Sequence, residues 1–91
     1  MSGAAWQRMK TAEAVKSFLE TQVPPSATSG QVRTFAVGAG MECSSNVDGV
    51  IYCSAPAPSR WFFIRAKWLI EFHFAADRLS RIQVSKGLIG P

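Results

Sequence analysis

Histidine occurs once in this 91-residue chain, cysteine twice and tyrosine once, and only six residues are acidic. With His73 alone, dyads of two histidines and most zinc sites are excluded. No run of eighteen apolar residues occurs, so no transmembrane helix is expected. Residues 1–8, Met-Ser-Gly-Ala-Ala-Trp-Gln-Arg, lack the apolar stretch of a secretory signal. Internal repeats and low-complexity tracts are absent too. Charge is scarce at 18% of residues against 47% hydrophobic, a balance that favours folding over disorder. Ten Lys and Arg against six Asp and Glu leave a net +4, mild enough to be a solvated surface rather than a polyanion site.

The two cysteines that are present bracket the segment Ser44–Tyr52. A three-residue loop Val47-Asp48-Gly49, with Gly49 left-handed, sets Asn46 opposite Val50 and Cys43 opposite Cys53. That pair falls on a non-hydrogen-bonded position, close enough for a disulfide. A two-residue Asp-Gly loop would instead move the cysteines one residue out of register. A bridge closing so short a loop contributes roughly 2–3 kcal/mol in the chain-entropy account. It implies an oxidising compartment, and the missing export signal then implies removal of an upstream segment; the alternative is a cytoplasmic chain with free thiols. The ten-residue spacing does not suit a metal site.

Two helices are predicted before the cysteines. Val15, Phe18, Leu19 and Val23 recur at helical spacing after the N-cap Thr11, and Pro24-Pro25 ends that helix. Thr28-Ser29-Gly30-Gln31 is a capping box, flanked by the staple pair Ala27 and Val32. Val32, Phe35, Ala36 and Ala39 continue the apolar stripe, and Gly40 suits a left-handed C-terminal position.

Beyond Met41 the pattern turns to strands. The cysteine hairpin is followed by a proline-rich loop, 55–59. Trp68, Ile70, Phe72 and Phe74 then alternate with Leu69, Glu71 and His73, the period of a half-buried strand. Residues 60–74 are either one bent strand or two strands turning at Ala66-Lys67. A turn at Ala76-Asp77-Arg78 leads to a last strand, Leu79–Ser85, with Ile82 and Val84 inward. The expected fold class is α+β: two N-terminal helices packed on a three- or four-stranded antiparallel sheet, a two-layer sandwich. Residues 1–10 form a lead-in, 11–86 the domain and 87–91 a tail.

The candidate chemistry is sparse. Glu71 and His73 share a strand face, which suits a solvated pair better than acid–base work. Gly38-Ala39-Gly40 follows a helix and precedes a strand, the reverse of a phosphate-cradling order. Trp61, Phe62, Phe63 and Trp68 interleave with Arg60, Arg65 and Lys67. Core packing, a protein interface and stacking on single-stranded nucleic acid remain open for this cluster, in that order of preference. The residues assigned to a protein contact are Arg60, Trp61, Arg65 and Lys67. No catalytic residue, metal or cofactor is expected.

The capped helix Thr28-Ser29-Gly30-Gln31-Val32, the strand Arg60-Trp61-Phe62, and the ending Leu69-Ile70-Glu71-Phe72-His73-Phe74 with Asp77-Arg78-Leu79 together carry a resemblance. Over about residues 11–84 the chain resembles the small outer-membrane assembly lipoproteins of the SmpA/OmlA (BamE) type, and is similar to each half of the β-lactamase inhibitor protein. The resemblance implies a non-enzymatic periplasmic or envelope module that binds another protein. An inhibitor of a secreted or periplasmic enzyme is the alternative, and a weak nucleic-acid binder the third. That lipoprotein family begins with a lipidated cysteine, whereas no cysteine precedes Cys43 here. Membrane anchoring is therefore expected only if a lipidated upstream segment has been removed.

Overall fold

A computed structural model of the chain describes residues 9–44, 48–57 and 65–89. Helix α1 spans Ala12–Gln22 and helix α2 Ser29–Gly38, followed by strands β1 (Glu42–Cys43), β2 (Val50–Ala57), β3 (Arg65–Ala75) and β4 (Arg78–Ile89). The strands form one antiparallel sheet in the order β1-β2-β3-β4. Both helices precede the sheet, which is the α+β arrangement expected.

Each helix begins where its side-chain chemistry supplies acceptors for unpaired amides. Thr11 Oγ1 accepts from the Ala14 amide at 3.0 Å, and Glu13 lies in the first turn, where negative charge is favoured. At α2 the capping box is complete: Thr28 Oγ1 accepts from Gln31 N–H at 3.3 Å, while Gln31 Oε1 accepts from Thr28 N–H at 3.0 Å. Gly40, at φ 86°, ends α2; the amides of Gly40 and Met41 return to the carbonyls of Val37 and Ala36. This crossed pair is a Schellman motif, and it aims the buried Met41 into the core before β1 starts.

The inner face of the sheet and the helix stripes bury one another. Val15, Leu19 and Val23 of the first helical segment and Val32 and Ala36 of α2 meet Ile51, Cys53, Ala55, Trp68, Ile70, Phe72 and Ile82. Trp68 and Phe72 are wholly enclosed. The expected alternation along β3 holds, with Leu69 exposed and Glu71 and His73 only partly covered on the opposite face.

Cys43 and Cys53 lie opposite one another, Cα atoms 4.0 Å apart, and are joined by a disulfide on the core side. Gly49 has φ 77° as the loop requires, but Asp48 also takes a positive φ, 54°. Two successive left-handed residues mark an Asp-Gly corner. Cys43 stays opposite Cys53, and the Ser44 amide donates to the Tyr52 carbonyl at 2.8 Å one pair further in. Val47 of the expected loop, and Ser45 and Asn46 of the arm before it, lie outside the described residues.

Three sequence expectations change, and one open alternative narrows. First, Ala55, Pro56 and Ala57 belong to β2, opposite Trp68, Lys67 and Ala66, rather than to a loop, and Pro58 and Ser59 lie outside the described residues. The Tyr52 carbonyl accepts from Ser44 on the β1 side, so by alternation Pro56 presents its missing N–H to that side too. There β1 has already ended, and proline costs no ladder bond. Second, β3 runs through Ala66 and Lys67 without turning; the stretch 60–64 lies outside the described residues. Third, the β3–β4 turn is the two residues Ala76 and Asp77, with φ 51° and 61°, and Arg78 already pairs with Ala75. Fourth, Gly87, Leu88 and Ile89, expected as tail, are the last residues of β4, opposite Lys67, Ala66 and Arg65.

Candidate functional site

Alternation along the strands leaves one face of the sheet away from the helices. It carries Val50, Tyr52 and Ser54 from β2, Lys67, Leu69, Glu71 and His73 from β3, and Gln83, Ser85 and Gly87 from β4. Tyr52 is 50% and Leu69 45% exposed. They are diagonal neighbours, because Tyr52 faces Glu71 and Ser54 faces Leu69. A Cβ added at Gly87 would come within 3.1 Å of Leu69 Cδ1, so the glycine gives the Leu69 side chain room to lie across β4.

One end of this face is charged. His73 Nε2 stands 3.0 Å from Glu71 Oε1, and Arg81 is the cross-strand partner of His73. The Ser80 hydroxyl donates to the His73 main-chain carbonyl at 3.0 Å, leaving the imidazole to the carboxylate. A bulge between His73 and Phe74 makes this contact, since it sets both Ser80 and Arg81 against His73. Among the described residues no three His, Cys, Asp or Glu side chains gather to hold a metal ion.

The residues assigned to a protein contact are placed unequally. Lys67 lies partly covered on the open face, opposite Pro56 and Gly87. Arg65 opens β3, its backbone opposite Ile89. Arg60 and Trp61 lie outside the described residues, as do Phe62 and Phe63. Trp68, the remaining member of the aromatic cluster, is core: it is fully buried, with the Lys86 ammonium 5.5 Å from its ring centroid. Its indole N–H has no acceptor among the described residues.

Two features escaped the sequence reading. Tyr52 and Leu69 each follow the period of their strand, but their proximity comes from the β2–β3 register, which no local pattern encodes. A groove of about 220 Å³ also opens beside β4, lined by Glu20, Val23, Pro25, Leu79, Ser80, Arg81 and Ile82. It is smaller than the roughly 300–1,000 Å³ of sites that enclose a drug-sized ligand. Among the described residues no helix is long and apolar enough to cross a membrane. Comparison of the chain with protein-family models, curated proteins and solved structures finds no match.

Proposed function

We propose that this protein is a non-enzymatic interaction module that binds a protein partner through the open face of its sheet. The observation that carries this reading is the adjacent pair Tyr52 and Leu69, half-exposed in the middle of a face bordered by Lys67, Glu71, His73 and Arg81. An aromatic and an aliphatic anchor inside a charged rim is the anatomy of a protein interface. Arg60, Trp61 and Arg65, assigned to the contact by sequence, belong to the proposed interface with Lys67. The partly buried disulfide is compatible with an oxidising compartment, and we place the protein in the periplasm or cell envelope, in keeping with the BamE-like resemblance.

Site-specific photo-crosslinking in the native host tests the reading. A photoreactive residue at position 69 should yield a discrete protein adduct, while one at Ser17, exposed on α1, should not. Equal labelling from both positions, or an adduct with nucleic acid in place of protein, would overturn it.

A further inference from the structure

Beyond the open face, β4 presents a second surface of a different kind. Among the described residues β4 is the last strand of the sheet and, beyond a short contact with the α1–α2 connection, pairs only with β3. Its outer edge already accepts backbone pairing once: Leu79 N–H donates to Ala27 O at 2.8 Å, and Thr28 bridges Arg78. The α1–α2 connection then leaves the strand. Alternation from the Gly49–Phe74 and Tyr52–Ser44 bonds fixes which groups come next. Gln83, Ser85 and Gly87 bond inward to β3, whereas Ile82, Val84 and Lys86 direct N–H and C=O outward. Among the described residues none of these outward groups has a partner.

The groove lies at the start of this open edge. It is lined by Val23 and Pro25 from the end of α1 and its turn and by Leu79 and Ile82 from β4, together with Glu20, Ser80 and Arg81. An unpaired edge beside an apolar pocket of single-side-chain size is the arrangement by which a sheet captures an extended peptide. Main-chain bonds supply affinity, and alternate side chains supply specificity. The charge pattern selects the occupant. Arg78, Arg81 and Lys86 all lie on β4, which has no carboxylate, so a strand of acidic residues is complementary. Two copies of β4 pairing edge to edge would bring together only cations, a device that disfavours self-association. Val23, Pro25, Leu79 and Ile82 give the groove itself apolar walls, which suit an apolar side chain.

We infer that the β4 edge binds an extended acidic segment of another protein as an added strand, with one apolar side chain seated between Val23, Pro25, Leu79 and Ile82. The probe is a capped decapeptide alternating Glu with Val and carrying a central Leu, titrated into isotope-labelled protein. Amide exchange at Ile82, Val84 and Lys86 should slow at least about tenfold on saturation, while Gln83 and Ser85 stay unchanged. Val84→Pro, which removes an outward donor and spares the β3 ladder, should weaken binding at least about tenfold. Arg81→Glu, at an exposed position, should weaken it too and covers the case in which the proline variant does not fold.

Binding without protection of the outward amides, or equal binding of the peptide with Lys in place of Glu, would overturn the inference. So would concentration-dependent protection of those amides with no peptide present, which would identify a second copy as the occupant. The open-face reading is scored by crosslinks from position 69, so each can fail without the other.

Discussion

Phe72 and His73 are consecutive residues on opposite faces of β3, and the difference between them measures what each face does. Phe72 is wholly enclosed, opposite Ile51 on one side and Ile82 on the other. Phe72→Ala removes a buried ring from the centre of a thin core and should destabilise by about 3–5 kcal/mol. His73 contributes a partly exposed hydrogen-bonding contact with Glu71, and His73→Ala should cost under about 1 kcal/mol. Chemical denaturation of both variants checks the order, and a larger loss at His73 would mean that the core face is inverted. Trp68 is the costly residue of the same face. Its indole N–H is buried without an acceptor among the described residues, a penalty that the ring's burial must outweigh.

The helices owe their boundaries to local chemistry, which is why they were legible in sequence. Thr11, Thr28, Gln31 and Gly40 act within three or four residues of themselves, and the structure places each in the role its type suggests. Thr28→Ala removes one half of the capping box and leaves the Gln31 amide without its acceptor. The loss should be on the order of 1 kcal/mol in thermal or denaturant unfolding, and an unchanged midpoint would separate helix initiation from this side chain. The strands were legible only in part, for a non-local reason. The stripe from Trp68 to Phe74 announces itself by period, but Pro56 fits β2 only because β1 stops two residues short of it, and β1 is far away in sequence. Ala66 and Lys67 resemble a turn until the pairing with Ala57, Pro56, Gly87 and Leu88 is known. The open face was harder still: Tyr52 and Leu69 form a patch through register alone, and the groove beside β4 needs the helix connection to meet the strand edge. Of the residues assigned to a contact by composition, Lys67 reaches the open face, while Trp68, counted in the same aromatic cluster, is core.

At the scale of the whole molecule, stability is a small difference spread over a thin two-layer core, and one covalent link is a large share of it. A 91-residue domain typically holds about 5–14 kcal/mol against unfolding. The Cys43–Cys53 bridge spans ten residues of sequence and so contributes roughly 2–3 kcal/mol, if its effect lies chiefly in the unfolded chain. Its placement adds to that effect. β1 has two residues and pairs with Cys53 and Ser54, and the Ser44–Tyr52 bonds and the Arg33 guanidinium on the Ser44 carbonyl at 2.6 Å tie its end down further. Reduction should therefore free β1 first and leave β2, β3 and β4 paired. Thiol quantification on the unfolded, unreduced protein should find no free thiol. Adding a reductant should lower the unfolding free energy by roughly 2–3 kcal/mol and raise amide exchange at Tyr52 ahead of Ile70 and Phe72. Two titratable thiols per chain in protein isolated from its host would remove both the bridge and the argument for an oxidising compartment. A bridge whose reduction left stability and Tyr52 exchange unchanged would show that packing of Met41 and Cys43 against α2 holds β1 without it.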